Sequence, residues 1–316
     1  MACQEYDLVE RRHLCTLRYE DMDTLPPPSA SQAYCHVSAL ESGVIHLPDE
    51  MFMTPATPGR VTIAPSLSFL VRHSERPEKL VFDLGIRRDW ENNPPRVVHW
   101  IQNGHMVEVR QSVVESLAKG GLSPDDIDIV CLSHCHHDHV GDPRQFPSSQ
   151  FLVGAQAKGL FHPGFPADTK ALHHNNLLPA DRTTWLDPSD WPPLGPFPRA
   201  LDLYEDGSVY VIDAPGHLPG HQNLLVRTSP DGGWLLMVGD SAHNWRLITG
   251  DADVAMHPDW PHGCVHNDPK QADEHIKRIR RMMRIPRVRV ILAHDEPWYR
   301  ENVGGSAFWP GQIPSL

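Results

Sequence analysis

Positive charge is scarce in this chain. Lys and Arg number 28 against 40 Asp and Glu, which leaves a formal net charge of −12 over 316 residues. A surface of that sign repels phosphate backbones, so no nucleic-acid partner is expected. Long apolar runs are missing too. None approaches the roughly 20 residues needed to span a bilayer, and no membrane partner is expected. Met1 to Leu17 is charged and has no apolar centre, so it does not read as a secretory signal. The cysteines are few and unpaired in spacing: Cys3, Cys15, Cys35, Cys131, Cys135 and Cys264 contain no CxxC. They read as reduced thiols of a cytoplasmic protein. The 31 prolines argue for long ordered loops, because apolar strands recur between them.

Histidine is abundant, at 21 residues, so a pair of His at i, i+2 is a weak signal by itself. The run Ser133-His134-Cys135-His136-His137-Asp138-His139-Val140-Gly141-Asp142 is a stronger one. It follows the apolar stretch Ile127 to Leu132, which reads as a buried strand. Alternation along a strand lets His134 and His136 point the same way. Asp138 and His139, a turn later, can reach a second point nearby. Imidazole and carboxylate are ligands that Zn²⁺ accepts readily. Cys135 should point away from the pair that flanks it.

The same device recurs downstream. Val209 to Ile212 reads as a strand and leads to His217. Trp234 to Val238 ends in Gly239-Asp240, and Arg287 to Leu292 ends in Ala293-His294. Side chains at successive strand ends converge on one sheet edge, where α/β proteins place their sites. The expected division is His134, His136 and His217 for one ion, Asp138, His139 and His294 for a second, and Asp240 between them. Asp83, after the strand Leu80 to Leu84, is read either as a partner for a metal-bound His or as a turn cap.

The rest reads as follows. Residues 1–32 form an N-terminal arm, and 33–316 a single domain with a Pro-rich insertion at about 161–206. Loops of that length are usually lids or binding loops. Val61 to Val71 and Leu80 to Leu84 are paired strands. Arg87 to Gln102 shows no clear period. Val109 to Lys119 is a helix that stops at Gly120-Gly121. Asp268 caps a helix running to about Arg284, with Ile276, Ile279 and Met283 inward.

The motifs His-Cys-His-His-Asp-His, Pro-Gly-His-Leu-Pro-Gly-His, Gly-Asp and Ala-His-Asp resemble the metallo-β-lactamase superfamily, over roughly residues 60–296. The resemblance implies an α/β fold, the four-layer αβ/βα sandwich, and a zinc-dependent hydrolase with two Zn ions, with Mn, Fe or Co as other occupants. It implies the seven ligands named above, with His221 a structural neighbour. The order of motifs is most similar to N-acyl homoserine lactonases and related lactone or lactam hydrolases. The implied reaction is attack of a metal-bridging hydroxide on a cyclic ester or amide. Asp138 would be ligand and proton shuttle. Those lactonases commonly carry Tyr three residues after the bridging Asp; here it is His243, a candidate catalytic donor. Candidate substrate walls are Met51, Phe52, Met53, His243, Trp260, His262 and His266.

Three other readings stay open. One is an aromatic bicyclic γ-lactam (benzoxazolinone-type) hydrolase. Another is a glyoxalase-II-like thioesterase, which normally has a C-terminal helical domain where only 22 residues follow His294 here. The third is a non-catalytic metal-binding or ligand-binding relative, which would typically lose ligands. The substrate is expected to be a small molecule, and a homodimer is allowed.

Overall fold

The computed structural model describes residues 24–316. Two mixed sheets carry the fold. The first, in spatial order, is β1 (Cys35–Leu40), β5 (Ser68–His73), β6 (Lys79–Phe82), β8 (Ile129–Cys131), β9 (Gln150–Gly154) and β10 (Thr183–Leu186). The second is β11 (Ala200–Asp202), β12 (Val209–Asp213), β13 (Gln222–Arg227), β14 (Trp234–Met237) and β16 (Val288–Ile291). Two small sheets flank them. One is β4 (Val61–Pro65), β2 (Val44–Pro48) and β7 (Val107–Glu108); the other pairs β3 (Met53–Thr54) with β15 (Asp253–Val254).

The strands are apolar on both faces because both faces are covered. Phe69, Phe82 and Cys131 of the first sheet share one buried cluster with Val211, Leu224, Val226 and Ile291 of the second, so the sheets face each other. Outside the second sheet, Leu225 and Leu236 pack with Ile276, Ile279 and Met282 of the helix Pro269–Met282. Outside the first, Val81 and Val130 pack with Val113 and Leu117 of the helix Val113–Ala118. Helix, sheet, sheet, helix is the four-layer sandwich.

The structure departs from the sequence reading in several places. Val61 to Val71 is two strands in different sheets. The ladder breaks at Ser66 and Leu67, whose N–H groups go to Gly43 O and Ala293 O. Arg87 to Gln102 contains a helix, Pro95–Gln102, that buries Val97 and Ile101. The inward residue of the last long helix is Met282, fully buried, and Met283 is exposed. Both lie within a turn of Ile279, but Met282 is the last helical residue and Met283 is the first past the helix end. The Pro-rich stretch supplies β10 and β11, an edge strand to each main sheet. Residues 1–23 of the expected arm, with Cys3 and Cys15, lie outside the described residues. Among the described residues no helix is long and apolar enough to cross a membrane.

Candidate metal centre

Strand ends deliver the site. The chain leaves β8 into His134–His139, β12 into His217, β14 into Asp240 and β16 into His294. Two ligand groups result, His134, His136, His217 and Asp240, and Asp138, His139, His294 and Asp240. Within each, one ligand atom per residue lies within 4.8 Å of the others. Asp240 divides its oxygens between them. Oδ2 lies 3.7 Å from His134 Nε2 and 3.5 Å from His217 Nε2, while Oδ1 lies 3.2 Å from His139 Nε2 and 3.3 Å from His294 Nε2. Asp138 Oδ2 sits 3.5 Å from His294 Nε2. His136 Nδ1 is 2.9 Å from His134 Nε2 and 3.0 Å from His217 Nε2.

These spacings fit divalent cations. A tetrahedral ion with ligands at about 2.0–2.1 Å separates its donor atoms by about 3.3 Å. The donor set is imidazole and carboxylate throughout. His139 Nε2 and Asp240 Oδ1 are buried, lie 3.2 Å apart and make no well-directed hydrogen bond among the described residues, which is costly unless something else meets them.

The electrostatics point the same way. Burial and neighbouring imidazoles hold His134 and His217 well below the ordinary histidine range. Burial also takes His136 down to about 3. A neutral imidazole is the form that binds metal. Burial pushes His139 and His294 down as well, but the Asp240 and Asp138 carboxylates outweigh it and raise both. The place between those acids favours positive charge. Burial would raise the two acids; the surrounding imidazoles overcome it, taking Asp138 to about 2 and Asp240 well below the carboxylate range.

The supports are built into the fold. Asp83 takes Ser133 N–H at 2.6 Å, Ser133 Oγ–H at 2.7 Å and His139 Nδ1 at 2.9 Å, so it is the partner of a ligand rather than only a cap. His294 Nδ1 donates to Pro65 O at 2.8 Å. His221 lies outside both ligand groups; its Nε2 accepts the Asp240 N–H at 3.1 Å and its Nδ1 meets Ala214 O. Cys135 is buried among apolar side chains and in neither group.

Sequence reasoning missed His173, whose buried ring donates to Cys135 O at 2.9 Å and so anchors the His134–His139 loop from the Pro-rich stretch. Adjacent His173-His174 was the available signal, but nothing local distinguished a loop anchor from surface. Of the candidate substrate residues, His243 stacks on His294 (centroids 5.8 Å, 15°), touches Phe52 (4.7 Å) and brings Nε2 to 3.2 Å from Asp240 Oδ2. Met51, Phe52 and Met53 join the loop after Asp240: Val254 pairs with Met53, and Ala255 N–H bonds Phe52 O. Trp260 stacks on His257, His262 is exposed, and His266 is buried against His217.

Comparison with known proteins gives the site a context. The family model described as the metallo-beta-lactamase superfamily matches residues 61–294. A gamma-lactamase, MBL2, of Gibberella moniliformis is 38% identical over 173 residues, covering 52% of this chain and 71% of that protein. The cytochrome P450 monooxygenase mpaDE' of Penicillium brevicompactum is 30% identical over 296 residues, covering 85% of this chain; the chain spans only 34% of its length. A solved N-acyl homoserine lactone hydrolase, with N-hexanoyl-L-homoserine bound at its catalytic metal centre, superposes with a TM-score of 0.67 at 17% identity, covering 90% of this chain and all of that one. That likeness concerns the fold.

Proposed function

The chain belongs to the metallo-beta-lactamase superfamily, and from that premise we propose that it is a dinuclear zinc hydrolase that opens a cyclic ester or cyclic amide. The observation that carries this is the division of Asp240 between the two ligand groups. His134, His136, His217 and Asp240 Oδ2 would hold one cation; Asp138, His139, His294 and Asp240 Oδ1 the other. Bound there, the cations supply Lewis acidity toward a carbonyl oxygen and an acidified water at neutral pH.

The chain's own groups do the rest. Asp138 is ionised, and its Oδ1 lies 3.5 Å from His137 Nδ1. It takes the proton released as water attacks and returns it to the departing ring oxygen or nitrogen. His243, beside Asp240 and against Phe52, orients the ring carbonyl and donates to the oxygen as charge develops there. Phe52, packed on His243, would form an apolar wall on one side of the ring, with Met51 and Met53 beside it.

Within this class the likeness to a gamma-lactamase supports a γ-lactam over an acyl-chain lactone. The test is a panel of lactones, lactams, cyclic carbamates and thioesters, assayed after chelation and after return of zinc. Turnover should vanish on chelation, return with zinc, and be lost in Asp240→Ala and His136→Ala. Undiminished turnover in either variant refutes the proposal.

A further inference from the structure

Each of four candidate ligand imidazoles turns Nδ1 away from the cation position and onto a neighbour. His139 Nδ1 meets Asp83 Oδ2 at 2.9 Å, His294 Nδ1 meets Pro65 O at 2.8 Å, and His134 Nδ1 meets Ser133 Oγ at 3.0 Å. For His217 the neighbour is another imidazole, His266 Nδ1, at 3.2 Å. We propose that His266 is a positioning residue that fixes the ring of His217 for the cation it shares with His134 and His136. This rests on the metal-site reading above and on nothing about the substrate.

The proton accounting is closed by geometry. His217 Nε2 faces inward, toward His136 Nδ1 and Asp240 Oδ2, so its lone pair belongs there and its proton is on Nδ1. That N–H donates to His266 Nδ1. His266 therefore carries its own proton on Nε2, a buried atom with no hydrogen-bond partner among the described residues.

His266 is held to this task by backbone. It is fully buried, and its ring stands at 80° to that of His217 with centroids 5.2 Å apart. Its N–H reaches Cys264 Sγ at 3.3 Å. The next two N–H groups, of Asn267 and Asp268, bond His217 O and Gly216 O at 2.9 Å each. The two loops are thus stitched together next to the imidazole pair. A ring nitrogen accepts along one in-plane direction, so the pair fixes orientation more narrowly than a hydroxyl would. It also gives His217 an uncharged partner, whereas His139 has the Asp83 carboxylate behind it. Loss of His266 should therefore loosen one ion and spare the other.

The test uses the full chain loaded with zinc or cobalt, in wild type, His266→Leu and His266→Asn, with chelator titration, cobalt absorption and thermal melts. His266→Leu should weaken one of two ions by about 10–100-fold and alter the cobalt spectrum. His266→Asn, whose Oδ1 can stand near the lost Nδ1, should restore most of that affinity. Ring-nitrogen NMR of the zinc-loaded wild type, which needs no variant to fold, should show His217 protonated at Nδ1 and His266 at Nε2. A proton on His266 Nδ1 overturns the assignment. So does His266→Leu matching wild type at both ions, or His266→Asn binding as weakly as His266→Leu with an unchanged melt. A wild type that takes up no cation overturns the metal-site reading and this assignment together; a wild type that takes up two, with His266→Leu equal to it, overturns this assignment alone.

Discussion

Asp83 sits at a φ of 61°, a backbone region that costs a non-glycine residue about 1–3 kcal/mol. The conformation is held because three donors converge on its carboxylate. Burial pushes that carboxyl up, and the hydrogen bonds from His139 and Ser133 push back. Asp83→Asn keeps the shape and removes the charge behind His139. Affinity for one ion should fall about 10–100-fold, read by chelator competition, with the melt of the chelated protein little changed. An unchanged affinity would mean that the carboxylate only braces the turn. His243 makes a contrasting case. It touches Asp240 but lies outside both ligand groups. His243→Phe should keep two ions per chain and lower kcat/KM for the ring substrate by about 10²–10³-fold. Loss of an ion instead would make it a support for Asp240 rather than a donor.

Elements bring these residues together. Gly216 has a φ of +135°, and a Cβ there would lie 2.4 Å from Ala272 N in the first turn of the helix Pro269–Met282. The glycine lets that helix close on the His217 loop. Gly216→Ala should lower the melting temperature and weaken the ion held by His217, costing more than about 1–3 kcal/mol. Gly232→Ala is the control: its φ is +106°, yet nothing lies within 4 Å of the added Cβ, so only the backbone strain remains. Equal losses in the two variants would show that helix closure is irrelevant. The same helix shows what could be read in advance. Asp268, Pro269 and Gln271 announced its start, and the Asp268 carboxylate does accept the Gln271 N–H at 3.0 Å. The seven candidate ligands were equally legible, because each follows an apolar run that stops abruptly, and the fold brings them into two groups. Their partners were legible only in part: Asp83 reads as a partner of a ligand His or as a turn cap, with no particular His named, and His266 reads as a substrate wall. Asp83 is 56 residues from His139, and His266 is 49 from His217. Such pairs depend on how sheets stack and leave no local period. The helix Pro95–Gln102 was hidden for another reason: only Val97 and Ile101 are buried, too few to set a phase.

Across the whole molecule, buried neutral histidines tie stability to pH. His275 is fully buried, and its Nε2–H donates to Asn223 Oδ1 at 2.7 Å; Asn223 in turn holds Val238 O and Ser241 Oγ around Asp240. Burial lowers His275 well below its ordinary 6.5. The unfolded chain binds that proton below 6.5 and the folded chain does not, so stability is lost as pH falls through 6.5 and unaffected above it. Between pH 7.5 and 5.5 this group alone should cost on the order of 1 kcal/mol. Urea unfolding of wild type and His275→Gln should show the variant losing less by that amount; parallel losses would contradict it. The account as a whole turns on Asp240 joining two cations. Anomalous scattering at the zinc edge, from crystals of zinc-loaded protein, should give two peaks, one in each ligand group, both about 2.0–2.2 Å from an oxygen of Asp240. A single peak, or a pair that leaves Asp240 uncoordinated, would contradict it.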